Sequence, residues 1–178
     1  MSNCMFEEEK LVIFHGSSGV GTSAMVNALI GEKICNSEYS TSLITSKRQY
    51  IQYNDCSVCD TPCRDKLKDV LHNVKIIFII TLESGRLTFG QINNIIRFLE
   101  KNPNMHYGII VNHTTEIVKN NKEHIIEDIF NYIYSKKEDM HKMPVCFMDE
   151  CDALKKDKIN YHPDGYILKD FLQKVAYN

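Results

Sequence analysis

Apolar positions along the chain fall into short continuous runs separated by longer amphipathic stripes. The runs at 11–14, 74–82, 107–111 and 145–148 are strand-sized and apolar nearly throughout, as strands covered on both faces tend to be. Residues 49–53 and 57–59 read as two more strands that reverse at Asn54-Asp55, a hairpin signal. Helical stripes lie between the runs. One covers 22–30. A second covers 88–100, with Phe89, Ile92, Ile95, Ile96 and Leu99 at helical spacing and Thr88 placed to cap it. A third covers 123–134, with Ile125, Ile126, Ile129, Phe130 and Ile133 on one side, and a fourth covers 166–175. Residues 64–73 read as a short helix, whereas 32–46 has no period and is rich in Ser, Thr and Asn, the pattern of a long polar loop. Strands alternating with helices predict an α/β fold of three layers, a mostly parallel six-stranded sheet flanked by helices.

The first strand runs into FHGSSGVGTSAMVNALIG, a loop holding Gly16, Gly19 and Gly21 followed by a helix. This is the strand, glycine loop and helix of a phosphate-binding P-loop. Successive N–H groups must curl inward onto phosphate oxygens with no side chain in the way, and the helix N-terminus adds partial positive charge behind them. The candidate cradle is Gly16, Ser17, Ser18, Gly19, Val20, Gly21, Thr22, Ser23 and Ala24. Against G-x-x-x-x-G-K-[ST], Gly16, Gly21 and Ser23 match, and Thr22 stands where the lysine belongs. A charge-assisted hydrogen bond contributes about 1.5–3 kcal/mol, so its loss weakens nucleotide binding roughly 10- to 150-fold unless another cation replaces it. Loss of a transition-state stabiliser commonly costs about 100- to 1,000-fold in rate. Binding is expected to survive better than hydrolysis. The plainer reading is a glycine-rich turn that only joins a strand to a helix.

The hairpin's second strand ends in Asp60-Thr61-Pro62. A carboxylate at a strand end beside a P-loop is where magnesium is held, usually through a water, while the P-loop serine, here Ser23, coordinates it directly. In the D-x-x-G box of GTPases the glycine position is Cys63, which crowds the approach to a γ-phosphate. The polar loop is a candidate switch segment, with Thr45 offering a hydroxyl to the metal. The magnesium set is thus Ser23, Thr45 and Asp60, and the switch set Thr45, Asp60 and Cys63.

Length and composition narrow the classes. At 178 residues the chain suits one domain, and a net charge of −2 provides no basic field for nucleic acid. The start, MSNCMFEEEK, is acidic, lacks the basic region and apolar core of a secretory signal, and reads as a flexible N-terminus over residues 1–9. No apolar run is long enough to span a bilayer, so the expectation is a cytoplasmic protein. Seven cysteines without a secretory signal point to free thiols. Cys56, Cys59 and Cys63 raise a zinc site, but no second ligand pair better than Cys146 and Cys151 accompanies them, and buried thiols are the simpler account.

With these boxes in place, the chain resembles the AIG-type GTPases, also called immunity-associated nucleotide-binding proteins, relatives of septins and chloroplast import receptors. The resemblance is carried most specifically by IITLESGRLT at 79–88, where Gly85, Arg86 and Thr88 fit a G-R-x-T box, and by SAMVNALIG, which shares Ser23, Ala24, Asn27 and Gly31 with the family's SATGNSILG. It extends over nearly the whole chain and implies a single P-loop GTPase-like G domain at 1–178. It also implies a base site after the strand at 107–111. Guanine presents two adjacent donors, which one carboxylate can accept. Asn112-His113-Thr114-Thr115-Glu116 stands against the usual [NT]-K-x-D in two ways. In one, His113 lies against the ring and Glu116 is the acceptor; in the other, Asn112 is the usual asparagine and Thr115 stands in the aspartate's place. The first is preferred because only it supplies an acceptor, which makes His113, Glu116 and Asp149 the base-binding candidates. Asp149 falls where the family closes over the base.

The resemblance implies GTP or GDP binding with magnesium, slow hydrolysis, and pairing of two copies across the nucleotide face. The partners expected are guanine nucleotide, a second copy and an unidentified effector protein, with no nucleic acid. The hydrophobic C-terminal anchor of many members is missing from this chain, so membrane association would come through a partner. The expected function is a molecular switch with weak or partner-dependent GTP hydrolysis. The alternatives are a pseudo-GTPase scaffold that binds nucleotide weakly or not at all, motivated by Thr22 and Cys63, and an ATP-using P-loop enzyme. Lys47, Arg64 or Arg86 are candidates to replace the missing ammonium.

Overall fold

Apolar strands flanked by amphipathic helices bury both sheet faces, and the chain does this in three layers. The computed structural model describes residues 10–36, 47–62, 73–102, 105–135, 143–156 and 158–178. The N-terminal stretch 1–9, Thr45, Cys63, Arg64 and nearly all of the helix expected at 64–73 lie outside the described residues. In chain order the elements are β1 (Lys10–Gly16), α1 (Thr22–Ile30), β2 (Gln49–Tyr53), β3 (Cys56–Asp60), β4 (Val74–Glu83), β5 (Arg86–Leu87), α2 (Phe89–Lys101), β6 (Tyr107–Thr114), α3 (Glu116–Lys119), α4 (Lys122–Tyr134), β7 (Val145–Asp149), α5 (Asp152–Lys155) and α6 (Gly165–Lys174).

The sheet runs β2-β3-β1-β4-β6-β7, with β5 attached to β4 off this path. Among the described residues it therefore has seven strands rather than the expected six, because two-residue β5, folded back on β4 through Ser84-Gly85, is too short to show a period. β1 pairs in parallel with β3 and β4, β4 with β6, and β6 with β7; the antiparallel pairs are β2–β3 and β4–β5. Side chains alternate between two cores. Val12, Phe14, Ile77, Ile79 and Ile110 pack with α1 and α6, while Ile13, Ile76, Phe78, Ile80 and Ile109 pack with α2 and α4. Each fully buried Val, Ile or Phe contributes roughly 1.5–3 kcal/mol of transfer free energy, so the sheet is the main source of stability.

The alternation also bears on the cysteines. Cys56 joins the α1/α6 core and Cys59 the α2/α4 core, so these two thiols sit on opposite faces and cannot share one metal. Thr88 stands at the N-cap of α2 with extended backbone, but its hydroxyl makes no capping bond and finds no partner among the described residues. Gln91 secures that helix instead: its Oε1 accepts from the Thr81 N–H at 2.8 Å and its Nε2 donates to the Thr81 hydroxyl at 3.2 Å. At the opposite face α6 presses on the end of α1. A Cβ on Gly165 would lie 2.0 Å from the Ala28 carbonyl oxygen, so only glycine permits this approach.

Candidate nucleotide site

Every site candidate that the structure describes lies at or just beyond the carboxyl end of a strand, where open α/β sheets bind ligands. β1 delivers the glycine loop and β3 delivers Asp60 beside it, with Phe14 in register with Asp60. Thr61 locks the two strand ends together: its N–H and its hydroxyl both donate to the Phe14 carbonyl, at 3.3 and 2.8 Å, and the hydroxyl oxygen is 2.9 Å from His15 Nδ1. With the hydroxyl proton committed to Phe14, His15 is the donor in that contact.

The loop itself is held by its glycines. Gly21, at φ +91°, occupies the left-handed region at the N-cap of α1, and a Cβ there would lie 2.5 Å from Asn112 Nδ2. A Cβ on Gly16 would meet Val20 Cγ2 at 2.5 Å and the Ile79 carbonyl at 2.8 Å. Val20 is buried, whereas Ser18 and Gly19 are exposed at the tip. The loop is also tied from across the sheet. Asn112, at the end of β6 and 1% exposed, donates from Nδ2 to the Val20 carbonyl at 2.8 Å. Asn112 Oδ1 is buried and has no hydrogen-bond partner among the described residues.

Ser23, one residue into α1, donates its hydroxyl to Asp60 Oδ2 at 2.6 Å, and Asp60 is wholly buried. A hydroxyl and a carboxylate are hard oxygen donors of the kind magnesium takes, so this pair fits the metal expected at a P-loop. The Cys35 thiol packs next to Asp60. Burial first, and then the neighbouring carboxylate, push its pKa up to about 12. Asn27 of α1 sets that position: its Oδ1 accepts from the Ile34 and Cys35 N–H groups at 2.9 and 2.7 Å, and its Nδ2 donates to the Cys35 carbonyl at 2.8 Å.

The three base-binding candidates take different places. His113 has φ +57° in a register shift between β6 and β7, and its Nε2 lies 3.8 Å from the point a Cβ on Gly21 would occupy, beside the glycine loop. Glu116 opens α3 with its side chain 80% exposed. Asp149 closes β7, where the Thr114 hydroxyl lies 2.8 Å from its Oδ1. Lys119, which the sequence reading did not single out, joins the last two: its Nζ is 2.8 Å from Glu116 Oε1 and 2.8 Å from Asp149 Oδ2. The only trace of this in the sequence is the three-residue spacing of Glu116 and Lys119. Buried His162 holds the Asp149 backbone. Its Nδ1 accepts from the Asp164 N–H at 3.2 Å, which leaves Nε2 to donate to the Asp149 carbonyl at 3.0 Å.

Arg86, one of the candidates to replace the lysine, lines an open groove of about 710 Å³ between α2 and α4, along with Phe89, Ile117, Ile125 and Tyr132. Phe89 and Ile117 are exposed there, at 62% and 74%.

No family model and no curated protein matches the chain. Among solved structures it is similar to a dimerization-deficient mutant of Toc33 from Arabidopsis thaliana, with a TM-score of 0.57 at 15% identity over 82% of this chain and 72% of that one. It is similar as well to LeoA, a bacterial dynamin GTPase from ETEC, with a TM-score of 0.57 at 9% identity, where the match takes in 93% of this chain but only 35% of LeoA. At these identities the likeness is one of fold. The chain has the α/β fold of a P-loop GTPase G domain, a mostly parallel sheet flanked by helices.

Proposed function

We propose that the chain, as one G domain over residues 1–178, is a guanine-nucleotide-binding switch of the AIG type that takes GTP or GDP with magnesium and hydrolyses GTP weakly or only with a partner. The observation that carries this reading is the 2.6 Å hydrogen bond between Ser23 and Asp60 at the mouth of the glycine loop. The backbone of Gly16 to Ala24 is read as the phosphate cradle, Ser23 as the direct magnesium ligand and Asp60 as the ligand acting through a water. Bound magnesium would neutralise charge on the β- and γ-phosphates. Thr22 contributes a hydroxyl where an ammonium is usual, so within the loop grip on the phosphates comes from amide hydrogens and the helix N-terminus. Slow turnover follows. On the base side His113, Glu116 and Asp149 are the recognition set, and Thr45 and Cys63 complete the switch.

A homodimer across the nucleotide face belongs to the same proposal, supported by the similarity to Toc33, whose solved mutant is described as deficient in dimerization. No described helix is long and apolar enough to cross a membrane. We place the protein in the cytoplasm, with any membrane contact made through its effector.

Isothermal titration with GDP and magnesium tests the reading, together with release and identification of any base that co-purifies. Saturable heat with GDP and a guanine base in the released fraction are expected. Absence of heat with either GDP or GTP would overturn it in favour of a pseudo-GTPase scaffold, and tighter binding of ATP would overturn it in favour of an ATP-using enzyme.

A further inference from the structure

Beyond the carboxyl ends of β6 and β7, two carboxylates share one ammonium. Glu116 is the first residue of α3 and Asp149 the last of β7, and Lys119 Nζ stands 2.8 Å from an oxygen of each. Asp149 is fixed in turn by the Thr114 hydroxyl on Oδ1 and by His162 on its carbonyl. The paired ammonium is held charged by its two hydrogen bonds, first that to Asp149 and then that to Glu116, which raise its pKa above the ordinary lysine value. The strip therefore offers a donor flanked by acceptors, in a defined order, on side chains that remain partly open to solvent.

Guanine's edge carries two donors, N1–H and the 2-amino group, followed by one acceptor, O6. The two oxygens of a carboxylate beside an ammonium complement it at three points. Adenine offers one donor and one acceptor in that region, so the same strip meets it at two. We propose that Lys119 is a specificity-determining residue of the nucleotide site, its ammonium donating to guanine O6 while Glu116 accepts from N1–H and the 2-amino group. The inference rests on the guanine-nucleotide reading above and adds to it the element that separates guanine from adenine. Without the lysine, O6 would face two carboxylates and be repelled by both. Lys119 also ties α3 to β7, a structural role that would be blind to which base is bound.

Competition of GDP and ADP against a fluorescent guanine nucleotide, on the full chain with magnesium, separates the two roles. Wild type is expected to prefer GDP. Lys119→Met should weaken GDP about tenfold, the low end for a charge-assisted hydrogen bond at a partly exposed site, while changing ADP little. Lys119→Arg should restore most of the preference, and Lys119→Gln, which keeps a neutral donor, should fall between and serves if the methionine variant does not fold. A melting temperature lowered in Lys119→Met with the GDP-to-ADP ratio unchanged would overturn the inference and leave guanine binding standing. Equal binding of GDP and ADP by wild type, or binding of neither, would overturn the guanine reading and this inference with it.

Discussion

The glycine loop and the Glu116–Lys119–Asp149 cluster, proposed as the phosphate and base ends of one site, are made of different materials. At the phosphate end, position is set by backbone and by atoms with no room to move: Gly21 at φ +91° against Asn112, Asp60 wholly buried, Val20 tied through its carbonyl. At the base end, position is set by charged side chains that solvent reaches, with Glu116 80%, Asp149 40% and Lys119 31% exposed. Steric fit in a tightly packed loop is insensitive to salt and intolerant of added atoms. Surface ion pairs are screened by salt and can rearrange at little cost. Under the proposed function, a ligand class would be selected at one end by shape and a particular base at the other by charge.

The comparison breaks first at Gly21. Gly21→Ala forces a side chain into a left-handed backbone, costing about 1–2 kcal/mol, and overpacks it against Asn112, costing about 1–3 kcal/mol more. Loss of GDP binding in titration calorimetry by about 30-fold or more is expected, larger than any single change at the base end. Thr22→Lys should act in the opposite direction, tightening GDP about 10- to 150-fold. A gain below about threefold would mean that another cation already serves the phosphates. Asn112→Ala leaves the buried Val20 carbonyl without its donor, at about 1–3 kcal/mol. It should lower the melting temperature by about 2–12 °C and weaken GDP about tenfold.

At the base end the effects are smaller. Glu116→Ala should weaken GDP up to about tenfold, with Thr115→Ala within about twofold of wild type; the reverse ranking would favour the alignment in which Asn112 and Thr115 stand for the usual box. The smallest effect is in pH. Burial pushes the Asp149 carboxyl upward, yet hydrogen bonds from Lys119 and Thr114 and the charges of Lys119 and Lys122 more than offset it, so its folded pKa lies below the ordinary 3.8. A lowered folded value gives stability that is present above 3.8 and lost as pH falls through the folded pKa. With two fifths of the side chain exposed, the loss should stay under about 1 kcal/mol. It would show as a fall of at most about 4 °C in melting temperature on acidification, absent in Asp149→Asn.

The same contrast explains what the sequence disclosed. Gly16 and Gly21 announce themselves because a tight loop between a strand and a helix leaves no room for a Cβ there, and the strands show because burial on both faces makes them continuous apolar runs. The short elements escaped. β5, α3 and α5 are too brief to carry a period. Lys119 escaped for another reason: its pairing with Asp149 depends on β7 returning beside β6, a contact across the sheet that local spacing does not encode. Asn112 stood in the sequence as one of two alignments, and only the fold brings its amide onto the Val20 carbonyl. Thr88 looked like a cap from its type and place, but the helix took its fastening from Gln91 instead. Cys56 and Cys59, for which buried thiols were the simpler account, are buried on opposite faces.

Where Gly165 meets Ala28, no side chain cushions the contact between the helix behind the glycine loop and the one that ends the fold. Two rods touching backbone to backbone move as one: a shift of the first either carries the second along or opens a void that costs packing energy. A tug at the loop would therefore be felt on the outer surface, at the exposed ring of Tyr166, with no side chain needing to change rotamer along the way.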